Sequence, residues 1–348
     1  MMLSASQPIA EWRQVDERTF REEIVSRHRP AVLRGLVSDW PAVKAARRSA
    51  ADVAGYLARL DNGGAVDAIL MPPGARGRIS YNAAMDGFNF ARKRLPLSAI
   101  LEQLARYAHF EDPPSVAVQS APVPGCLPGF AAENAMPILD AAVVPRIWVG
   151  NRVTVPAHFD ESCNLACVVA GRRRFTLFPP EQVGNLYIGP LDFAPTGAAM
   201  SLAPLDDPDL ERFPRLRTAL SAALSAELDP GDALFIPTLW WHHVESLDPK
   251  LNVLVNFWWH GALGAVERSP SAMDGLLHCL LNIKPLSPEL RDAWRQLFEH
   301  YVFGAEDDRF AHIPPPRLGV LGAMTPESAA RVRSMLIANL KRDSAQAS

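Results

Sequence analysis

The chain reads Arg-Ile-Trp-Val-Gly-Asn-Arg-Val-Thr-Val-Pro-Ala-His-Phe-Asp-Glu from Arg146 to Glu161, and this stretch decides the fold. Residues two apart on an extended strand project to the same face. The imidazole of His158 and the carboxylate of Asp160 therefore point together, while Phe159 points the other way. The stretch predicts two of the three ligands of a facial metal site on a β-strand.

The third ligand is expected from a later segment, Pro230 to Ser246, which contains a Trp-Trp-His-His run. Strand alternation allows only one of His242 and His243 to face the metal. Two histidines and one carboxylate leave three adjacent positions open on an octahedral ion, as in non-haem Fe(II) oxygenases. A His-x-Asp pair alone is a weak signal, and the turn at Gly171 and the later histidine run give it a context.

The composition is that of an ordinary soluble globular protein. The 348 residues are 48% hydrophobic and 21% charged, and the formal net charge of −3 gives no reason to expect a nucleic-acid partner. The N-terminus lacks the features of a signal peptide, and no run approaches the ~20 apolar residues of a membrane span. We therefore expect a cytoplasmic enzyme with no membrane partner. The cysteines at 126, 163, 167 and 279 lack the spacing of a zinc site and are expected to be buried free thiols.

Between Ser115 and His260 the sequence consists of short runs rich in Val, Leu, Ile and Phe, separated by Gly and Pro. This pattern favours a double-sheet jelly roll, the cupin type of barrel. Strands are predicted at Val116–Ser120, Pro145–Val149, Arg152–Asp160, Asn164–Ala170, Arg174–Pro179, Ala233–Pro237, His242–Leu247 and Asn252–Trp259. The segment from Gln182 to Leu228 is predicted to be an irregular insertion that shapes a substrate entrance.

Helical segments are predicted on both sides of the barrel. The predicted fold class is thus mainly β with flanking α, a jelly roll with an N-terminal α/β flank and C-terminal helices. Ser49 is predicted to cap a helix in the flank, and Ser287 and Thr325, each followed by proline, to open helices near the C-terminus. We divide the chain into a catalytic domain, residues 1–260, and a helical region, residues 261–348. The apolar helix faces of this region are expected to pack on the barrel or on a second copy in a homodimer.

Several segments, in one order, resemble the Jumonji-C and cupin-like 2-oxoglutarate oxygenases. They are Val155-Pro-Ala-His-Phe-Asp-Glu, Val169-Ala-Gly-Arg-Arg-Arg-Phe-Thr-Leu-Phe-Pro-Pro-Glu, Pro230-Gly-Asp-Ala-Leu-Phe-Ile-Pro, Trp240-Trp-His-His-Val-Glu-Ser-Leu and Val255-Asn-Phe-Trp-Trp. The chain is most similar to the branch that contains the asparaginyl hydroxylase acting on the hypoxia-inducible factor, and to its bacterial relatives. The resemblance covers residues 17 to 260. It implies Fe(II), 2-oxoglutarate and O₂, and a hydroxylase acting on a protein side chain or a small molecule.

The resemblance also assigns the metal ligands. They fall on His158, Asp160 and His242, because the family's second histidine ligand directly follows the tryptophan. His243 is the rival for this position. Two imidazoles and one carboxylate suit Fe(II) better than zinc, since three protein ligands leave room for a bidentate 2-oxo acid and O₂.

Four further residues are assigned by the same resemblance, and Trp258 is added as an aromatic residue of the cavity wall. Arg173 stands where the hydroxylase has a lysine that binds the distal carboxylate of 2-oxoglutarate, and an arginine can bind a carboxylate with two parallel hydrogen bonds. Asn164 and Asn256 match asparagines beside the co-substrate. Gln119 matches a glutamine near the substrate, and Trp258 is predicted to line the substrate entrance.

The sequence departs from this branch at two positions. A tyrosine and a threonine that help to bind the distal carboxylate are here Ala117 and Val155, and Thr176 or Tyr187 are the suggested substitutes. The departure leaves open a metal-dependent cupin enzyme that does not use 2-oxoglutarate, and a non-catalytic barrel that binds a peptide or regulates transcription. Histone demethylation is not expected, because the chain shows no zinc-binding or chromatin-reading module.

Overall fold

The computed structural model describes residues 6–260, 272–304 and 309–346. These residues form short strands separated by turns, as the density of proline predicts. The strands are β1 (Gln7–Pro8), β2 (Ala10–Arg13), β3 (Ala31–Arg34), β4 (Ala65–Met71), β5 (Ala91–Pro96), β6 (Ser115–Val118), β7 (Ala121–Pro122), β8 (Pro145–Gly150), β9 (Thr154–His158), β10 (Cys163–Ala170), β11 (Arg173–Phe178), β12 (Leu224–Leu228), β13 (Ala233–Ile236), β14 (Trp241–Ser246) and β15 (Asn252–Trp259).

The α-helices lie before, between and after these strands. They are α1 (Glu17–Thr19), α2 (Pro41–Arg48), α3 (Ala50–Leu60), α4 (Leu97–Tyr107), α5 (Val123–Cys126), α6 (Phe130–Glu133), α7 (Leu216–Ser221), α8 (Ala272–Asn282), α9 (Pro288–Phe298) and α10 (Pro326–Gln346). In the described ranges, none of the helices combines the length and the apolar content needed to cross a lipid bilayer. The chain divides into two compact units, Met1–Ser269 and Pro270–Ser348. The predicted boundary at residue 260 stays a prediction.

The first unit contains two β-sheets. The smaller has the strand order β1-β12-β11-β14-β9, and the larger has the order β2-β3-β13-β10-β15-β8-β6-β4-β5, with β7 paired to β8. The sequence neighbours β10 and β11 lie in different sheets, as do β14 and β15, so the chain crosses repeatedly between the sheets, as in a jelly roll. The predicted fold class is confirmed.

Apolar residues from both sheets form the core between them. Ala166, Val168 and Leu254 come from the larger sheet, and Phe175 and Val244 come from the smaller. Each lies two residues from another inward-facing residue of its strand, which is the period of a strand with one face in the core. The other face of β10 is also buried, because α2 packs against it and its residues belong to a second apolar cluster.

Several local predictions are confirmed. Ser49 caps α3, since its side chain accepts a hydrogen bond from the amide of Asp52 at 3.0 Å. Strand β15 has the predicted bounds. The four cysteines are free, although Cys163 and Cys279 are half-buried and not buried as expected.

Two predictions about the barrel are wrong in detail. Strand β9 ends at His158, so Asp160 lies in the turn beyond it and not on the strand. The insertion is not irregular to its end, because its last part forms α7 and then β12, which pairs with β11 through Thr176 and Ser225. The segment from 182 to 228 therefore completes the smaller sheet as well as forming loops.

The second unit is helical in its described residues. Ser287 accepts a hydrogen bond from the amide of Leu290 at 3.4 Å, and Thr325 accepts one from the amide of Ser328 at 3.2 Å, so both predicted caps are present. Leu290, Trp294 and Leu297 recur at helical spacing along α9, and their side chains are exposed.

Candidate metal centre

The predicted triad comes together at one end of the space between the sheets. His158 ends β9 and lies directly opposite His242 of β14. Asp160 follows in the turn after β9, and its carbonyl accepts a hydrogen bond from the amide of Leu239 at 3.1 Å. The ligand atoms of the three side chains lie within 4.8 Å of one another. This separation is close to the span of two metal–ligand bonds of about 2.1 Å each.

Backbone carbonyls orient both histidines. His158 Nδ1 lies 2.9 Å from the carbonyl oxygen of Pro156, and His242 Nδ1 lies 3.0 Å from that of Trp240. Because a carbonyl only accepts, each Nδ1 carries the proton and each Nε2 keeps a free lone pair. Burial, and then the neighbouring His242, lowers the pKa of His158, which keeps its imidazole neutral. Both rings are thus oriented to offer Nε2 to a metal ion.

Asp160 is held by neighbouring donors from the larger sheet. Its Oδ2 accepts a hydrogen bond from Trp258 Nε1 at 3.2 Å and one from Asn164 Nδ2 at 3.3 Å. Asn256 Nδ2 donates in turn to Asn164 Oδ1 at 2.6 Å. Trp258, Asn164 and Asn256 therefore form a hydrogen-bonded group that fixes the carboxylate, an arrangement typical of residues around metal ligands.

All eight residues singled out from the sequence line one cavity of about 180 Å³. They are Gln119, His158, Asp160, Asn164, Arg173, His242, Asn256 and Trp258. His243 is not among them: it projects to the opposite face of β14, where it is fully buried, and burial lowers its pKa to about 3. The structure thus places His242, and not its neighbour, beside His158 and Asp160.

Arg173 is a buried cation without a counter-ion in the described part of the chain. It is 8% exposed, it makes no ion pair there, and its Nε has no hydrogen-bond partner. Burial lowers the pKa of its guanidinium to about 10. Arg172 and Arg174 project away and pair with Glu227 at 3.6 and 2.7 Å, as strand alternation predicts. A buried charge needs a partner, so this end of the cavity is suited to an anion.

Both suggested substitutes for the missing hydroxyl groups are wrong. Thr176 projects to the outer face of β11, opposite His243. The hydroxyl oxygen of Tyr187 accepts a hydrogen bond from the amide of Arg215 at 3.0 Å, and neither side chain lines the cavity. Val155 does line it, with no hydrogen-bonding group to offer.

The insertion contributes to the wall of the cavity. Thr196 and Ala198 line it, and the loop that carries them is anchored where the hydroxyl of Tyr81 donates to the carbonyl of Phe193 at 2.6 Å. Phe88 stacks on Phe193 with ring centroids 4.9 Å apart. These contacts place the insertion beside the metal centre, where the sequence predicts an entrance.

Comparison with known proteins gives a consistent result. Residues 17–263 match the family model described as "Cupin-like domain". HSPB1-associated protein 1 of Homo sapiens is 36% identical over 150 residues, which are 42% of this chain and 30% of that protein. Lysine-specific demethylase JMJ31 of Arabidopsis thaliana is 36% identical over 139 residues, 38% of this chain and 24% of that protein. Jumonji C domain-containing protein 5 of Drosophila melanogaster is 37% identical over 119 residues, 34% of this chain and 28% of that protein. The chain thus spans less than a third of the length of each of these relatives.

Proposed function

This chain belongs to the cupin-like domain family that includes the Jumonji-C proteins, and from that premise we propose that it is an Fe(II)- and 2-oxoglutarate-dependent hydroxylase. One observation carries the proposal. A single cavity contains two histidines and a carboxylate that meet at one place and a buried arginine that lacks a counter-ion among the described residues. The closer relation to the asparaginyl hydroxylase branch stays a prediction.

The donor set fits the implied metal. His158 and His242 would bind it through Nε2, and Asp160 through its carboxylate. A set of two imidazoles and one carboxylate leaves coordination positions for other ligands. With Fe(II) and 2-oxoglutarate bound, the centre would supply O₂-dependent oxidation of a C–H bond, with release of succinate and CO₂.

The cavity also fits the co-substrate. Arg173 would bind the distal carboxylate, while Phe175, Val244 and Leu254 exclude water from the contact. Because attraction between opposite charges is stronger in a low-dielectric surrounding, an apolar wall increases the contribution of this ion pair. Asn164 and Asn256 would keep the carboxylate of Asp160 and the amide groups around it in fixed orientations.

We propose a protein side chain as the substrate. The names of two relatives support this choice, since one is called an HSPB1-associated protein and the other a lysine-specific demethylase. Gln119 and Trp258 line the cavity beside the metal ligands and would contact the substrate there. Hydroxylation and demethylation both begin with oxidation of a C–H bond, and they differ in the product, which gains one oxygen atom or loses a methyl group.

The experiment that tests the function measures the products of the reaction. The Fe(II)-loaded protein, given 2-oxoglutarate and a proteome extract, is expected to form succinate and to add one oxygen atom to a peptide, as measured by mass spectrometry. His158→Ala should abolish both, because a ligand of the metal is lost. Succinate formation that persists in His158→Ala would contradict the proposal, and loss of a methyl group would identify a demethylase.

A second candidate is a metal cupin enzyme that does not use 2-oxoglutarate. Ala117 and Val155 favour it, because the hydroxyl groups expected there for the distal carboxylate are missing. Fe(II) binding with no effect of 2-oxoglutarate would support this candidate.

Self-association through the C-terminal helices is a further part of the proposal, and the exposed apolar side chains of α9 support it.

A further inference from the structure

The inward faces of the two sheets carry polar groups that no predicted role explains. The positions expected to offer hydroxyl groups, Ala117 and Val155, are apolar and pack in one cluster. Trp148, which lines the cavity, and Ser246, which lies opposite Arg173 in the smaller sheet, each carry a buried hydrogen-bond donor without a partner in the described residues. Their placement bears on how the co-substrate is held, and a role for them in that binding rests on the proposed function.

Ser246 is the direct neighbour of Arg173. The two residues are opposite each other in the β11–β14 pair, and directly opposite residues project from the same face of a sheet. Ser246 is 6% exposed, and its hydroxyl has no partner within the described ranges. The amide of Ser246 donates to the carbonyl of Val153 at 2.9 Å, so its backbone position is fixed. A buried hydroxyl group beside a buried cation is positioned to share an anion with it.

Trp148 approaches from the facing sheet. It lines the cavity, and in the β15–β8 pair it lies opposite Leu254, which lines the cavity too. Its Nε1 is buried and lacks an acceptor in the part of the chain that the structure describes. An indole N–H can only donate, so leaving it unpaired costs free energy, and an acceptor in the cavity would recover that cost.

The strand register relates the two donors to the residues around the metal ligands. Ser246 is four residues from His242 along β14, and Leu254, the partner of Trp148, is four residues from Trp258 along β15. His242 and Trp258 both contact Asp160. Arg173 and Ser246, opposite each other, therefore lie four strand positions from the level of His242, and Trp148 faces the same cavity from the other sheet, with its ring centroid 6.2 Å from that of Trp258.

We propose that Trp148 and Ser246 complete, with Arg173, the binding site for the distal carboxylate of the 2-oxo acid. A carboxylate has about four acceptor positions, enough for a guanidinium, an indole N–H and a hydroxyl group together. Trp148 and Ser246 thereby take the place of the hydroxyl groups that Ala117 and Val155 lack. They select a 2-oxo acid that carries a second carboxylate.

The test measures the binding of two 2-oxo acids to the Fe(II)-loaded protein in the absence of O₂. The absorbance of the visible band of the complex reports the binding. Trp148→Phe and Ser246→Ala should each raise the Kd for 2-oxoglutarate on the order of tenfold, because each removes a hydrogen bond to a charged group. The Kd for 2-oxovalerate, which has a methyl group in place of the distal carboxylate, should change little. Equal weakening of both acids, or of neither, would overturn the proposal.

Two matched controls separate this role from general damage to the fold. Trp259→Phe and Thr176→Val each remove an equally buried donor that has no partner among the described residues, but on strand faces turned away from the cavity. Both should leave the two Kd values unchanged. If the wild type shows no band with 2-oxoglutarate, the proposed function fails; a band whose strength is independent of Trp148 and Ser246 defeats only the present inference.

A second measurement needs no destabilising variant. In the wild type loaded with Zn(II), the indole N–H resonance of Trp148 should move when 2-oxoglutarate is added and stay in place when 2-oxovalerate is added. The resonance of Trp259 should not move with either acid. A Trp148 resonance that does not respond to 2-oxoglutarate would refute the hydrogen bond.

Discussion

Two adjacent histidines in β14 lie in opposite environments. His242 faces the cavity beside His158, with ring centroids 4.2 Å apart. His243 is fully buried on the other face, and neither of its ring nitrogens has a partner among the described residues. The alternation of the strand therefore places one histidine beside His158 and Asp160 and the other in the packing behind the sheet.

Replacing the two histidines should have opposite effects on metal binding. His242→Ala removes a ligand, and we expect Fe(II) affinity to fall by several orders of magnitude. His243→Phe removes two nitrogens that lack partners in the described structure and keeps the ring, so we expect Fe(II) affinity to stay within about threefold and folding to be preserved. Anaerobic equilibrium dialysis with metal analysis measures both affinities. A His243→Phe variant that loses iron would show that the assignment is reversed.

Trp258 is expected to act on the metal through Asp160. Trp258→Phe keeps an aromatic ring in place but removes the donor to Oδ2, so Fe(II) affinity should fall roughly 10-fold to 100-fold. The same dialysis measures it, with Trp259→Phe as the control on the other face of β15. Unchanged iron affinity in Trp258→Phe would contradict a role of Trp258 in metal binding and would leave only its predicted contact with substrate.

Spacing explains which residues of the site can be predicted from the sequence. The His-x-Asp pair and the histidine after Trp-Trp could be found because their residue types suit a facial metal site and their order resembles that of the Jumonji-C family, although Asp160 lies beyond the strand whose period was used to place it. Thr176 was a wrong prediction, since it lies three residues from Arg173 and so projects to the other face. The carbonyls that orient the histidines could not be predicted, because every residue carries a carbonyl.

At the scale of elements, the sequence predicts where strands occur more accurately than it predicts the residues at which they end. The apolar runs of β10, β13 and β15 are long enough to define the strands, and their faces are buried as the pattern indicates. The end of β9 could not be predicted, because it depends on the amide of Leu239, which bonds to the carbonyl of Asp160 from a distant part of the chain. Strand β12 was missed inside an acidic, proline-rich segment.

Helices α3 and α6 are joined by one hydrogen-bonded tyrosine. The hydroxyl of Tyr56 donates to Glu133 at 2.7 Å and accepts from Asn134 Nδ2 at 2.8 Å. Burial, followed by the bond to Glu133, raises the pKa of Tyr56 from 10.0 to about 12. As the pH rises between these values, the unfolded chain loses the proton and the folded chain keeps it. The contribution of Tyr56 to stability should therefore disappear over that interval.

Tyr56→Phe tests this contact. Near neutral pH the variant should be less stable than the wild type by about 1 kcal/mol, because a hydrogen bond is lost. Urea unfolding at increasing pH should show the difference shrinking above pH 10, since phenylalanine does not ionise. A difference that is constant up to the pKa of about 12 would mean that the hydroxyl does not contribute through this proton.

At the scale of the whole molecule, the second unit exposes apolar side chains on one face of α9. Leu290, Trp294 and Leu297 are 53%, 43% and 45% exposed on one face of α9. We expect two copies to cover these faces in a homodimer. Light scattering should give twice the chain mass of 38.1 kDa for the wild type and the single mass for Trp294→Asp. Val183→Asp, an exposed apolar residue of the first unit, serves as control. A wild type of single mass would contradict the prediction.

The proposed function requires one cavity to bind Fe(II) through three side chains and a 2-oxo acid through a buried arginine. Its most direct test is an anaerobic absorbance titration of the metal-free protein with Fe(II), then with 2-oxoglutarate. We predict a weak visible band that appears only with both, is absent in His158→Ala, and needs a much higher 2-oxoglutarate concentration in Arg173→Met. A wild type that binds Fe(II) but shows no band at saturating 2-oxoglutarate would contradict the account.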